Sequence, residues 1–176
     1  MTHRAVARRA GLPLASTTYY FSSIQELTKE ALCRHVTDRM NEFRLLVGEI
    51  SAGRTRAEIG RLLAQAVLSR NKVVAVAQYG VYLEAARDPE LRDSVARALA
   101  AFEDLAEAAL AVLGMPDAQA AAPAFVSLMD GYCLHALARP REMTGEAESL
   151  YQALRRLFIG FQMGPDELRR WDEWLD

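Results

Sequence analysis

Ser16, Thr17 and Thr18 stand in a row just past a Gly-Leu-Pro break, and Tyr19 and Tyr20 follow at once. Short hydroxyl side chains at the start of a helix can hydrogen-bond the edges of bases in a major groove, and a tyrosine hydroxyl can reach a phosphate. Adjacent residues on a helix point about 100° apart, so one tyrosine packs inward while the other reaches out. Residues 1–25 also bring Arg4, Arg8 and Arg9 and no acid. Residues 1–44 hold seven Arg/Lys against four Asp/Glu, a balance of +3; residues 45–176 hold 14 against 19, a balance of -5. A basic head on an acidic body is compatible with a head that meets phosphates, although the whole chain carries only -2. The asymmetry alone does not identify a partner.

Other chemistries find little support. His3, His35 and His135 lie far apart and in no ligand-spaced motif, and no Glu-x-x-His pair is present. There is no phosphate-binding glycine loop and no nucleophile elbow. Glu84, Asp88 and Glu90 fall at a helix break, where carboxylates serve as caps. Cys33 and Cys133 form no disulfide framework and are expected to be small buried hydrophobes. No cofactor, no metal and no catalytic residue is expected. The longest uncharged runs, 118–129 and 73–83, are too short to span a bilayer, and no signal peptide is visible. These features predict a soluble cytoplasmic protein with no membrane partner.

The 176 residues are 51% hydrophobic and 25% charged, enough for a substantial core. Alanine and leucine are frequent and period-two alternation is missing, so the fold class is all-α. Thr2 caps a short helix to about Ala10 that Gly11 stops in a left-handed conformation. Leu12–Leu14 make a turn, and a second helix runs from Ala15 or Ser16 to Phe21. Ser23 and Glu26 fit a capping box for a third helix reaching about Val47. Further helices are expected near 55–69, 72–86, 90–113, 119–138 and 146–161, with Asp88 as cap and Pro89 at N1 of the third of these. The charged tail 165–176, with Trp171, Trp174 and Leu175, is expected to form a short helix that docks back on the body. The domains expected are a head with its connecting helix, 1–46, and a body, 47–176.

A helix, a glycine turn and a second short helix make a helix-turn-helix pattern, with Ala7, Ala10 and Gly11 small enough for a close crossing. By spacing alone, many helical proteins share it. The residues narrow the choice. Thr2, Val6-Ala7, Ala10-Gly11, the Tyr19-x-Phe21 pair and Ser23 followed by Glu26-Leu27 resemble the DNA-binding segment of TetR-family transcriptional regulators. The resemblance implies an operator-binding homodimer with a variable helical body that holds a small-molecule pocket. It implies that Thr17 and Thr18 approach bases, that Ser16 does so or touches phosphate, and that Tyr20, Thr2 and Arg4 contact the backbone. Tyr19, Phe21 and Leu27 are expected in the core of the head. Two departures stand out. Ile24 occupies a position where the family usually has a lysine. A family head also begins with a helix of about 15 residues before Thr2, where this chain has one residue. The expectation is that 176 residues are not the complete natural chain, and that Val6, Tyr19, Phe21 and Leu27 are left partly exposed.

In the body, the resemblance places a ligand pocket between the middle helices and the dimer helices. Its candidate lining is Tyr79, Tyr82, Phe102, Met129, Cys133 and His135, each of which is individually more often ordinary core. The apolar bias suggests a lipophilic or aromatic effector. Helices 119–138 and 146–161 are the expected homodimer surface, with Ala136, Ala153 and Gly160 permitting close approach; the plain alternative is that they pack within one monomer. Of the functions that fit, a ligand-responsive repressor on a palindromic operator ranks first. The alternative is a helical homodimer that binds a ligand or protein partner and has lost DNA binding. A small helical enzyme ranks last, for want of a catalytic constellation.

Overall fold

The structure is a computed structural model. It describes every residue except Met1, 51–52, Arg70, 140–141 and Asp176, and only the backbone of residues 46, 47, 49, 50, 165 and 172–175. Among the described residues there are nine helices: α1 (His3–Ala10), α2 (Leu14–Tyr20), α3 (Ile24–Ile50), α4 (Arg56–Leu68), α5 (Lys72–Ala85), α6 (Pro89–Val112), α7 (Ala118–Ala138), α8 (Met143–Gln162) and α9 (Pro165–Leu175).

Local chemistry sets the ends. Thr2 caps α1 by accepting from the Ala5 N–H, and Gly11 closes it at φ +67°, with the Leu12 N–H donating to the Ala7 carbonyl at 2.9 Å. That left-handed turn disfavours any residue with a Cβ. Ser23 accepts from the Glu26 N–H as the spacing predicts, but the return arm lands one residue earlier: the Glu26 carboxylate accepts from the Ser22 N–H at 2.7 Å and the Ser22 hydroxyl at 2.6 Å. Asp88 and Pro89 open α6 as expected. α8 starts at Met143, three residues before its expected start, because Gly145 lies within the helix instead of ending the turn. Pro123 sits inside α7 without ending it.

α4 carries a complete capping box between Thr55 and Glu58. The Thr55 N–H and then its hydroxyl hold the Glu58 carboxyl below the usual carboxylate range, and the Ser22 hydroxyl and N–H do the same for Glu26. A carboxyl whose pKa is lowered by folding contributes its full stability above the unfolded value and loses it as pH falls through the folded one. Glu58→Gln is therefore expected to flatten the loss of melting temperature between about pH 5 and pH 3. Thermal melts that stay parallel to wild type across that window would remove the cap from the account.

Three clusters form the core. Leu32 and Val36 of α3 pack on Ala85, Leu91, Val95 and Ala98. Ala64 and Val67 of α4 meet Ala75, Tyr79, Cys133, Leu150 and Tyr151. Leu110, Met115, Ala121, Ala122 and Phe125 close the α6–α7 turn. α4 and α8 approach tightly at Gly60, where a Cβ would stand 2.9 Å from the Tyr151 ring. α3 runs unbroken through the expected domain boundary at 46/47. In α9 the helix is as expected, and Leu168 and Trp171 are about half exposed. The expected docking of Trp174 and Leu175 lies outside the described residues. Cys133 is buried; Cys33, expected to be buried, is exposed.

Candidate functional site

The head is thin. α1 and α2 pack on one another, and Ala7 and Thr17 are their buried residues. Thr17, expected to approach a base, is only 6% exposed, and its hydroxyl donates to the Leu14 carbonyl at 3.0 Å. It holds α2 together and points away from solvent. Thr18 lies on the outer side, its hydroxyl within reach of the Leu14 and Ala15 carbonyls at 3.3 Å each. Ser16 is half-buried, whereas Thr2, Arg4 and Tyr20 are exposed. Tyr19, expected in the core of the head but partly exposed, is 82% exposed and stands edge-on to Tyr20 with ring centroids 5.0 Å apart. The outer face of α2 therefore offers two tyrosines where sequence reasoning expected one. Val6, Phe21 and Leu27 are half-buried, as expected for them.

The body holds a cavity of about 440 Å³ that is partly open to solvent. α6 supplies a wall from Phe102 to Leu113, α7 gives Phe125, Val126, Met129 and Asp130, and α8 gives Tyr151, Leu154, Arg155, Phe158 and Ile159. α4 closes a side with Arg56, Ala57, Gly60 and Leu63. Phe43 of α3 and Gln78 of α5 complete the lining. Small residues on the lining helices, Ala57, Ala106 and Ala109, leave the space that larger side chains would fill. This volume suits a small organic ligand.

Of the six residues expected to line the pocket, Phe102 and Met129 do so. Tyr79 belongs to the core beside it, with its hydroxyl donating to the Asp130 carboxylate at 3.0 Å. Tyr82 packs against that core and accepts from the Gln78 amide at 2.8 Å. Cys133 is buried with its thiol toward the Val67 carbonyl, and His135 is exposed. These four do not line the cavity. Gln78 is among the lining residues missed: 4% exposed, it lines the cavity, and its amide oxygen accepts from His35 Nε2 of α3 at 3.0 Å. Its signal was a lone amide in the uncharged run 73–83.

On the outside of the body, α7 and α8 pack on each other within the chain and leave Leu134 49% exposed. α5 also exposes Val73, Val76 and Leu83. Among the described residues no group of three or more His, Cys, Asp or Glu could hold a metal ion, and no helix is long and apolar enough to cross a membrane.

A helix-turn-helix head, joined by one long helix to a helical body built round an apolar cavity, defines the architecture of a helical transcriptional regulator. The description of the tetracyclin repressor-like C-terminal domain matches residues 54–160, and the chain belongs to the TetR family of transcriptional regulators. Two solved structures share the fold. One, assigned to TetR-family transcriptional regulators and from Rhodococcus sp., superposes with a TM-score of 0.71 at 20% identity, covering 90% of this chain and 87% of its own. The other, a transcriptional regulator of Rhodococcus sp. Rha1, gives 0.71 at 21% identity, covering 93% and 88%. Among curated proteins, none matches the sequence.

Proposed function

We propose that the chain is a ligand-responsive repressor of the cytoplasm that binds a palindromic operator as a homodimer and leaves it when a small apolar or aromatic effector enters the cavity. The observation that carries this reading is α3. It begins three residues after Tyr20's neighbour Phe21, and further along its length places Phe43 in the cavity wall. At 27 residues it is a rod about 40 Å long, so a change at the cavity is transmitted to the head. Outward Thr18 and Tyr20, with Thr2, Arg4 and Ser16, form the DNA-facing set, and Thr17 supports them from inside. Residues 1–46 serve as the DNA-binding unit and 47–176 as the ligand and dimer unit. The dimer forms through α7 and α8, where Leu134 supplies apolar contact.

The test is fluorescence anisotropy with duplex DNA from upstream of the coding sequence. Expected are two chains per duplex, affinity that falls steeply with salt, and much weaker binding to a scrambled duplex. Arg4→Ala is expected to weaken binding and lower the salt slope by about 1. Binding indifferent to sequence, or none at all, would overturn the operator reading.

A further inference from the structure

The cavity has two unlike ends. At the inner end its polar groups are already engaged: Gln78 with His35 and Tyr82, and Asp130 with Tyr79. At the outer end stand two arginines. The Gly60–Tyr151 approach and the Arg61–Glu148 ion pair at 3.0 Å make α4 and α8 antiparallel. One turn from Gly60 toward the start of α4 is Arg56, and one turn from Tyr151 toward the end of α8 is Arg155. The two positions thus stand at one level of the α4–α8 pair, and both side chains line the cavity. Both side chains belong to exposed residues of the lining, and among the described residues neither forms an ion pair. Glu58, the nearest acid along the chain, is held by the Thr55 N–H and hydroxyl at 2.8 Å each. Arg56 also lies at the α6–α7 turn, where a Cβ on Gly114 would stand 3.3 Å from its Nη2.

Two like charges at the rim of an apolar cavity repel each other, and an anion between them relieves that repulsion. The guanidinium fork matches a carboxylate or phosphate. From Phe102 to Leu113 the wall runs about 16 Å, which fixes the length of the apolar remainder. We infer that the effector is an elongated amphipathic anion, with its oxyanion head between Arg56 and Arg155 and its apolar body directed toward Phe102 and Met129. This rests on the reading of the cavity as the effector site.

Isothermal titration of the full chain with dodecanoate, dodecyl phosphate, dodecan-1-ol and dodecyltrimethylammonium, each below its micellar concentration, tests it. One anion per chain is expected to bind about tenfold or more tighter than the alcohol, with the ammonium weakest. Whichever anion binds tighter identifies the head as carboxylate or phosphate. In the Arg56→Gln, Arg155→Gln double variant the anion is expected to fall to the level of the alcohol while the alcohol is unchanged. Ala109→Trp, which fills the cavity, is expected to remove both. Equal affinity of alcohol and anion for the wild-type chain overturns the anionic assignment and leaves an apolar effector site standing. Undiminished anion binding by the double variant or by Ala109→Trp overturns the location. Absence of binding by all four probes overturns the inference, while operator binding, measured without ligand, is judged separately.

Discussion

Leu150→Ala is expected to lower the unfolding free energy by about 2–5 kcal/mol, read as a lower urea midpoint at unchanged slope. Leu150 is fully buried in the cluster that joins α4, α5, α7 and α8. Truncation there removes apolar contact and leaves a void, because Tyr151 is fixed against Gly60 and beneath the Arg61 guanidinium, 4.4 Å from its ring centroid. The control is Leu83→Ala, at a residue 68% exposed, where a change within about 0.5 kcal/mol is expected. If both variants cost the same, the central packing described for α8 is wrong. The loss at Leu150 also bears on function, since Leu154 and Phe158, one and two turns further along the same helix, line the cavity.

The helix that carries Leu150 shows what a sequence can and cannot disclose. Leu150, Leu154, Leu157, Phe158 and Phe161 repeat at helical spacing, and that repeat announces a buried stripe. It does not announce that the stripe serves three neighbourhoods: core at Leu150, cavity at Leu154 and Phe158, and the α6–α7 corner at Phe161. α6 divides in the same way, with Leu91 and Val95 against α3 and Ala106, Ala109 and Leu113 on the cavity. Hydropathy reports burial, and a cavity wall and a packed core have the same hydropathy. That is why one apolar signal picked out both Phe102 and Met129, which line the cavity, and Tyr79 and Cys133, which belong to the core. Arg56 and Arg155 gave no signal, because 99 positions separate them and only the antiparallel pairing of α4 with α8 brings them to one level.

The head was legible to a different depth. Caps and breaks depend on neighbours within four residues, so Thr2, Gly11 and Ser23 took their expected places. The facing of α2 was harder, because seven residues give barely two turns and all of Ser16 to Tyr20 are polar or aromatic. Thr17 faces inward as the buried residue of α2 where that helix packs on α1. Tyr19, two residues on, is carried to the far side of the helix.

Phe43→Ala is expected to uncouple the cavity from the operator. If α3 is the link between them, a ligand acts on DNA affinity only through the residues by which α3 senses the cavity. Two are visible. Phe43 lines the cavity directly, with the Arg39 guanidinium 4.9 Å from its ring centroid. His35 reaches it through Gln78. In the wild-type chain, saturation with the tighter-binding dodecyl anion is expected to weaken operator binding by about 5–150-fold, the usual span of allosteric coupling. In Phe43→Ala that factor is expected to fall toward about 1–3 while the probe still binds, since the Arg56 and Arg155 end is untouched. His35→Ala, which cuts the second link, is expected to lower the factor less, because Phe43 remains. Reciprocity supplies an independent reading: in wild type, operator DNA must weaken probe binding by the same factor, and in Phe43→Ala it must not. A full coupling factor in the Phe43→Ala, His35→Ala double variant would mean that the signal leaves the cavity by another helix. α6 would then be the first to probe, since it lines the cavity at Leu105 and packs against Leu32 and Val36 through Leu91 and Val95.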